Sequence, residues 1–306
     1  MSPHSITIGT RGSALAKRQT QLVIEALKAK DPHSIYHVKE IKTSGDTSIN
    51  KSIVQLDKGA FTKELEVALL DKSIEAAVHS FKDLPTSLAE EFTIAAIMER
   101  EDVRDVLISR SGKKLADLPK HAKVGTGSPR RAAQIKAFRH DLEIVPIRGN
   151  VDTRINKAMT DDYDAIVLAA AGVLRLGMKD RITEYLPMEI SIPAPGQGAI
   201  AIESLKNSHA LATLKLIDHV KTHVAVEAEK AFLECFGGGC RLPLGGYATI
   251  YGSTLRLMGM IASENGSKVL RAELQGKATD AKRIAAALAE KLISMGANKI
   301  IAGVKA

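Results

Sequence analysis

The chain has no tryptophan, and aromatic residues make up only 4% of its 306 positions. Proteins that hold single-stranded nucleic acid do so largely by stacking bases on aromatic rings, so that class is disfavoured. There are two cysteines, too few for a disulfide framework, and the expected compartment is the reducing cytosol. No apolar run approaches the length of a membrane span, so no membrane association is expected. The opening Met1-Ser2-Pro3-His4-Ser5-Ile6 lacks a basic segment followed by a long apolar one, and no secretory signal is expected. Acidic residues are short in number, 35 against 43 Lys and Arg, which leaves a net charge of +8. Such an excess attracts nucleic acid, anionic membranes or acidic small molecules. What is present, 45% hydrophobic and 25% charged residues, is an ordinary globular composition, long enough for two or three domains.

Periodicity along the chain alternates between strand and helix. Ile6-Thr7-Ile8 reads as a strand, Ser13 as an N-cap, and residues from Ala14 to about Lys28 as a helix with Leu15, Leu22, Val23, Ala26 and Leu27 on one stripe. A strand near Tyr36–Ile41 precedes a polar, aperiodic stretch from Asp46 to Gly59, expected as a long mobile loop. A helix over about Phe61–Asp71 and a strand Ala76–His79 follow. The charged segment Glu99–Asp105 suggests a crossing into a second half with the same grammar. In it lie a strand at Val124, a helix begun by Pro129, a strand Glu143–Ile147 and a strand Ala165–Ala169. Ser191–Gly198, with its two prolines, reads as the return crossing, and Ala199–Ile202 as a strand that rejoins the first sheet. A helix over Thr222–Glu234, three strands between Tyr247 and Gln275, and a helix Asp280–Ser294 with Ile284, Leu288 and Leu292 inward complete the chain. The expected fold is α/β with parallel sheets in two halves and a smaller α+β C-terminal domain carrying an antiparallel sheet. The expected domains are 1–98 with 198–216, 103–193, and 221–306.

The cations are placed tellingly. Arg11, Lys82, Arg130, Arg131, Arg148, Arg154 and Arg175 all follow a predicted strand or fall in the first turn of the next helix. The carboxyl ends of strands form the ligand crevice of open α/β sheets. Arg130 and Arg131 oppose the dipole of their helix, which makes sense if an anion sits between them. A basic stripe on one helix face, the commoner nucleic-acid pattern, is not seen. The distribution favours a cleft for a compact polyanion. Asp83, beside Lys82, is either a salt-bridge partner or a general acid/base tuned by these cations. His219 and His223 stand one helical turn apart with Glu227 a turn further on, but no third metal ligand is identified and no metal is expected. His79 reads as a hydrogen-bonded core residue.

Glu234-Cys235-Phe236-Gly237-Gly238-Gly239-Cys240-Arg241-Leu242-Pro243 is a glycine-rich turn that holds a thiol next to a cation, a setting that favours thiolate. Cys235 and Cys240 have the spacing of a small disulfide or half a zinc site, and no second thiol pair exists to complete four ligands. Cys235 is expected to be a buried helical thiol.

Gly9-Thr10-Arg11-Gly12-Ser13-Ala14-Leu15-Ala16, Lys58-Gly59-Ala60-Phe61-Thr62-Lys63-Glu64-Leu65 and Val78-His79-Ser80-Phe81-Lys82-Asp83-Leu84-Pro85 resemble the porphobilinogen deaminase (hydroxymethylbilane synthase) family. So do Val124-Gly125-Thr126-Gly127-Ser128-Pro129-Arg130-Arg131, Arg148-Gly149-Asn150-Val151-Asp152-Thr153-Arg154, Pro195-Gly196-Gln197-Gly198-Ala199 and Gly238-Gly239-Cys240, in the family's order. The resemblance implies two periplasmic-binding-protein-like domains and a third that carries the cysteine. It implies a dipyrromethane cofactor attached to Cys240 by a thioether, and a reaction that joins four porphobilinogens head to tail with loss of ammonia before water releases the product. By position it implies Asp83 as the catalytic carboxylate. Lys82, Ser80, Thr126, Ser128, Arg130, Arg131 and Arg154 are then cofactor contacts. Arg11, Ser13, Arg148, Arg175, Gln197 and Phe61 are substrate contacts, and Asp46 and Lys58 bound a mobile loop. A cytoplasmic monomer with porphobilinogen as partner, and no nucleic acid or membrane, is the expectation. The chain departs from the family pattern at Val54, Gly127 and Pro129, where a lysine, a second serine and a leucine are common. A non-catalytic two-lobed binder of an acidic small molecule is the alternative, and it would need neither Cys240 nor Asp83.

Overall fold

The computed structural model describes residues 5–44, 61–160, 162–238 and 242–305. In chain order its elements begin with β1 (Ser5–Arg11), α1 (Ala14–Lys30), β2 (Ile35–Ile41), α2 (Lys63–Leu70), β3 (Ala76–Ser80) and β4 (Phe92–Ile97). There follow β5 (Asp105–Ser109), β6 (Lys123–Gly125), α3 (Pro129–Phe138), β7 (Glu143–Val145), α4 (Val151–Lys157), β8 (Ala165–Ala169), α5 (Ala170–Arg175) and β9 (Glu184–Tyr185). The last part comprises β10 (Ile200–Leu205), α6 (Leu211–Lys215), α7 (Val220–Glu234), β11 (Leu244–Tyr251), β12 (Thr254–Ala262), β13 (Val269–Lys277), α8 (Ala281–Ser294) and α9 (Ala297–Lys305). Two compact units result: Met1–Glu101 with Gly198–His223, and Asp102–Gln197 with Val224–Ala306.

The first unit holds a five-stranded sheet in the order β2-β1-β3-β10-β4. Strands β1, β2 and β3 are mutually parallel, whereas β10 runs antiparallel to both β3 and β4. Val23 and Leu27 of α1 pack with Ile6, Ile8, Val78, Ile200 and Ile202 on one face of it. Leu65 and Leu69 of α2 pack with Ile74, Ala77 and Phe92 in a second core. The second unit repeats the design as β7-β6-β8-β5-β9, with β5 antiparallel to β8 and β9. In each of these sheets one strand runs against the others, β10 in the first and β5 in the second.

The parallel sheets expected from the alternation are therefore mixed. The reason lies in connectivity: β5 and β10 are each the first strand after a crossing. A parallel neighbour needs a long crossover, usually a helix, and these two strands enter without one. Strands β4 and β5 escape periodicity because Phe92–Ile97 and Asp105–Ser109 are short and covered on both faces.

The third sheet, β11-β12-β13, is wholly antiparallel, as expected. Helix α8 covers one face, with Ile284, Leu288 and Leu292 buried. Phe232 of α7 is fully buried there, packed edge-on against Phe236 at 5.4 Å between centroids. It lies over Gly246 and Gly259, where any Cβ would press on its ring. Ala133 of α3 packs with Met260 and Ala262 of β12, and the β12–β13 turn lies against the same helix. At that turn Gly266 has φ +72°, and a Cβ on it would stand 2.4 Å from the Ala133 carbonyl oxygen. Among the described residues no helix is long and apolar enough to cross a membrane.

Candidate active site

In the first unit the carboxyl ends of β1 and β3 lie side by side, since Ile8 pairs with Ala76 and Gly9 with Ala77. Arg11 ends β1, and its guanidinium stacks over the Phe61 ring, 4.2 Å from the centroid. Ser13 is the N-cap of α1, its hydroxyl accepting from the Ala16 N–H at 3.3 Å. Ser80 ends β3 and accepts through Oγ from Gln19 Nε2 at 2.9 Å. The chain then makes one 3-10 turn, Phe81–Asp83, anchored by the buried Phe81 ring and by its N–H donating to Ala199 O at 3.0 Å. That turn leaves Lys82 half-buried and the Asp83 carboxylate exposed. Arg11, Ser13, Phe61, Ser80, Lys82 and Asp83 thus share one end of one sheet.

In the second unit β6 is parallel to both β7 and β8, so their carboxyl ends also coincide. Thr126 follows β6 and accepts through Oγ1 from the Ser128 N–H at 3.2 Å. Ser128 caps α3, accepting from Arg131 N at 3.4 Å, with Pro129 in the first turn as read from sequence. Arg148 follows β7, half-buried, and Arg154 on α4 donates through Nε to Gly149 O at 2.7 Å. Arg175 departs from expectation. It sits in the last turn of α5, where the helix dipole favours a cation, and not in a first turn.

Arg130 and Arg131 are buried, 4% and 7% exposed, around the fully buried Asp105. Asp105 Oδ2 accepts from Arg130 Nη1 at 2.7 Å and from Ser191 Oγ at 2.7 Å. Its Oδ1 accepts from Arg131 Nε at 2.8 Å, Gln197 Nε2 at 2.9 Å and Arg130 Nη2 at 3.2 Å. Burial opposes ionisation of this carboxyl, but the two guanidiniums outweigh burial and hold it far below the usual carboxylate range. Burial pulls the Arg131 pKa down, against the opposing pull of Asp105. Gln197, expected near substrate, has no exposed surface; its Nε2 also donates to Val103 O at 2.7 Å, and its Oε1 accepts from Arg131 Nη2 at 3.3 Å. Two cations meet one carboxylate, and Arg130 Nε has no hydrogen-bond partner. The group therefore carries an unbalanced positive charge and an unused buried donor, beside the Thr126 and Ser128 hydroxyls. Such a donor set suits a ligand carboxylate.

Asp105, Ser191 and Glu229 escape sequence reasoning. Asp105 reads as one more charge in a polar crossing, and only burial reveals it as a hub. Among other expectations, Asp46, Lys58 and Cys240 lie outside the described residues, as does the loop from Asp46 to Gly59. Gly237 and Gly238, which lead towards Cys240, have φ +85° and +61°, the left-handed backbone expected of this stretch. Cys235 is exposed at the end of α7 and not buried, and its Sγ donates to Ala231 O at 3.3 Å. Burial of part of the group and nearby Glu234 and Glu290 raise its thiol pKa. His79 is buried and 3.0 Å from Glu203 Oε2, but without the alignment of a hydrogen bond. His223 Nδ1 meets Asp218 Oδ1 and His219 Nδ1 meets Thr222 Oγ1, each at 2.8 Å. No cluster able to hold a metal occurs among the described residues.

Residues 6–213 match the family model described as porphobilinogen deaminase, dipyromethane cofactor binding domain, and residues 223–294 match that of the porphobilinogen deaminase C-terminal domain. The chain belongs to the porphobilinogen deaminase family. It is 42% identical over 305 residues to the porphobilinogen deaminase of Desulforamulus reducens, covering 99% of each chain. It is 44% identical over 303 residues to that of Desulforudis audaxviator, covering 98% of each. Among solved structures it is similar to the probable amino-acid ABC transporter extracellular-binding protein ytmK from Bacillus subtilis, at 14% identity and a TM-score of 0.40, over 69% of this chain and 89% of that one. Family membership extends through the C-terminal domain, and a two-lobed binder without chemistry is not favoured.

Proposed function

We infer that this chain is a hydroxymethylbilane synthase: a transferase that condenses porphobilinogen units head to tail, releasing ammonia at each step, and frees the linear product with water. The observation that carries the reading is the match to both porphobilinogen deaminase domain models, in a chain whose cations gather at the carboxyl ends of its strands. A substrate bearing two carboxylates per pyrrole needs such donors. In solution the reading extends to three domains (1–98 with 198–216, 103–193, and 221–306), a cytosolic location and a monomer, the last checked by light scattering.

The dipyrromethane group, attached through Cys240, supplies the primer on which the product is built. The residues that would hold its carboxylates are Lys82, Ser80, Thr126, Ser128, Arg130, Arg131 and Arg154. Ser128 and Thr126 offer hydroxyls at the start of α3, and the Arg130–Arg131 pair offers charge in a dry setting where it is worth more than in water. Arg11, Ser13, Arg148 and Arg175 are assigned to the incoming porphobilinogen, with Phe61 as an apolar wall stacked on Arg11, while Gln197, with no exposed surface, supports the arginine pair from behind. Asp83, exposed in the 3-10 turn that follows β3, is the group that passes a proton to the leaving amine and takes one from the pyrrole during each condensation. A general acid/base of this kind contributes about 10²- to 10⁴-fold.

Intact mass of the purified protein tests the reading. A covalent adduct on Cys240 that reddens with Ehrlich's reagent, and consumption of porphobilinogen, are expected. A bare polypeptide that consumes none would refute it. Asp83→Ala should lose about 10²-fold or more in turnover while retaining the adduct, and near-normal rates would remove Asp83 from the mechanism.

A further inference from the structure

We propose that Asp105 is a positioning residue that sets the Arg130–Arg131 pair to a net single positive charge, and that Gln197 and Glu229 hold it in place. The proposal rests on the reading that this pair faces the carboxylates of the bound primer. Both arginines sit in the first turn of α3, against the helix dipole, and are buried. Two such cations cannot stand side by side in a dry site without a counter-charge. Asp105 supplies it and fixes the directions of the guanidiniums, receiving two bonds from Arg130 and one from Arg131. One of the two cations remains unbalanced, which matches one ligand carboxylate.

The support is traceable outward. Gln197 ties Asp105 to Arg131 and to the Val103 carbonyl. The residue before it, Gly196, donates its N–H to Glu229 Oε2 at 2.6 Å, and Glu229 Oε1 accepts from Ala248 N at 2.7 Å. Glu229 is fully buried on α7, so it pins the crossing to β11. Gly246 N donates to Pro193 O at 2.9 Å and fixes the same crossing from its other side. Arg130 Nη1 also donates to Ile192 O at 2.6 Å, and Gln134 Oε1 accepts from Ile192 N at 2.9 Å. The crossing is thus a strut between the C-terminal sheet and the arginine pair.

Apoprotein of the natural chain, Asp105→Asn, Asp105→Glu and Gln197→Met would be incubated with porphobilinogen. Adduct formation is followed by intact mass, with Tm measured alongside. Asp105→Asn leaves two uncompensated cations and should load at least about tenfold more slowly. Asp105→Glu keeps the counter-charge on a longer arm and should load faster than Asp105→Asn, to within roughly threefold of the natural chain. Gln197→Met keeps the charge, loosens the strut, and should load roughly three- to tenfold more slowly. A structural tie alone would make loading follow Tm across the series. Asp105→Glu no faster than Asp105→Asn, or Gln197→Met loading at the natural rate, overturns the proposal. If Asp105→Asn does not fold, Gln197→Met decides by the same criterion. A natural chain that gains no adduct would sink the functional reading together with this one, whereas a wrong pattern among the variants sinks this one alone.

Discussion

Gly266 offers a quantitative test of how the C-terminal sheet braces α3. Replacing it with alanine does two things. The residue sits at φ +72°, where an L side chain costs about 1–2 kcal/mol. The new methyl would also lie 2.4 Å from Ala133 O and 2.8 Å from Ala137 N, backbone atoms of α3 that cannot swing aside. Forcing such an overlap typically costs about 1–3 kcal/mol more. Gly252 provides the control: it has φ +59°, but a Cβ there meets nothing within 4 Å. Gly252→Ala therefore pays only the backbone term, and the difference between the variants isolates the docking contact. For a unit of this size, about 1–3 kcal/mol corresponds to a Tm difference of about 2–10 °C. Thermal unfolding followed by calorimetry measures it. Gly266→Ala melting within about 1 °C of Gly252→Ala would refute the claim that the turn bears on α3.

Other outcomes follow from the same structure. Phe232→Ala should cost about 3–5 kcal/mol, because the ring is fully buried over two glycines that leave nothing to fill the void. Urea titration measures this. Burial raises the Glu66 carboxyl above its ordinary value, with nearby Glu203 adding to the rise, while the Thr62 hydroxyl and His79 oppose it. An acid with a raised folded-state pKa favours folding when protonated, and that benefit is lost as pH rises through and beyond its unfolded value of about 4.3. Glu66→Gln should thus melt higher than the natural chain at pH 8, with the gain shrinking towards pH 4; a gain that grows on acidification would reverse the assignment. Ser128→Ala should destabilise by about 1 kcal/mol through loss of the α3 cap and slow adduct loading, whereas Ser13→Ala should show a similar cap loss on α1 and raise the KM for porphobilinogen.

Local signals were readable where one residue type has one job. Ser13 and Ser128 cap helices, Pro129 opens one, and Ala165–Ala169 forms the strand its apolar run implies. The strand-end cations are equally legible, because position after a strand is a local property. Arg11, Lys82 and Arg148 stand where that rule puts them. What escaped depends on partners distant in sequence. Asp105 lies 25 residues from Arg130 and 92 from Gln197, and no local pattern distinguishes it from the charges around it. The reversed direction of β5 and β10 follows from the topology of the crossings, which periodicity does not record. Cys235 looked apolar enough to bury, but it lies just past the end of α7, exposed beside Glu234, while Phe232 of the last turn takes the buried side.

The placement of β10 has a consequence for synthesis. The first sheet has β10 between β3 and β4, so its order β2-β1-β3-β10-β4 cannot close until Leu205 has left the ribosome. The second sheet needs only residues from Asp105 to Tyr185. Domains generally fold as units while the chain emerges. Here the first sheet begins first and closes second, waiting with an open edge on β3 while the second sheet, later in sequence, is completed.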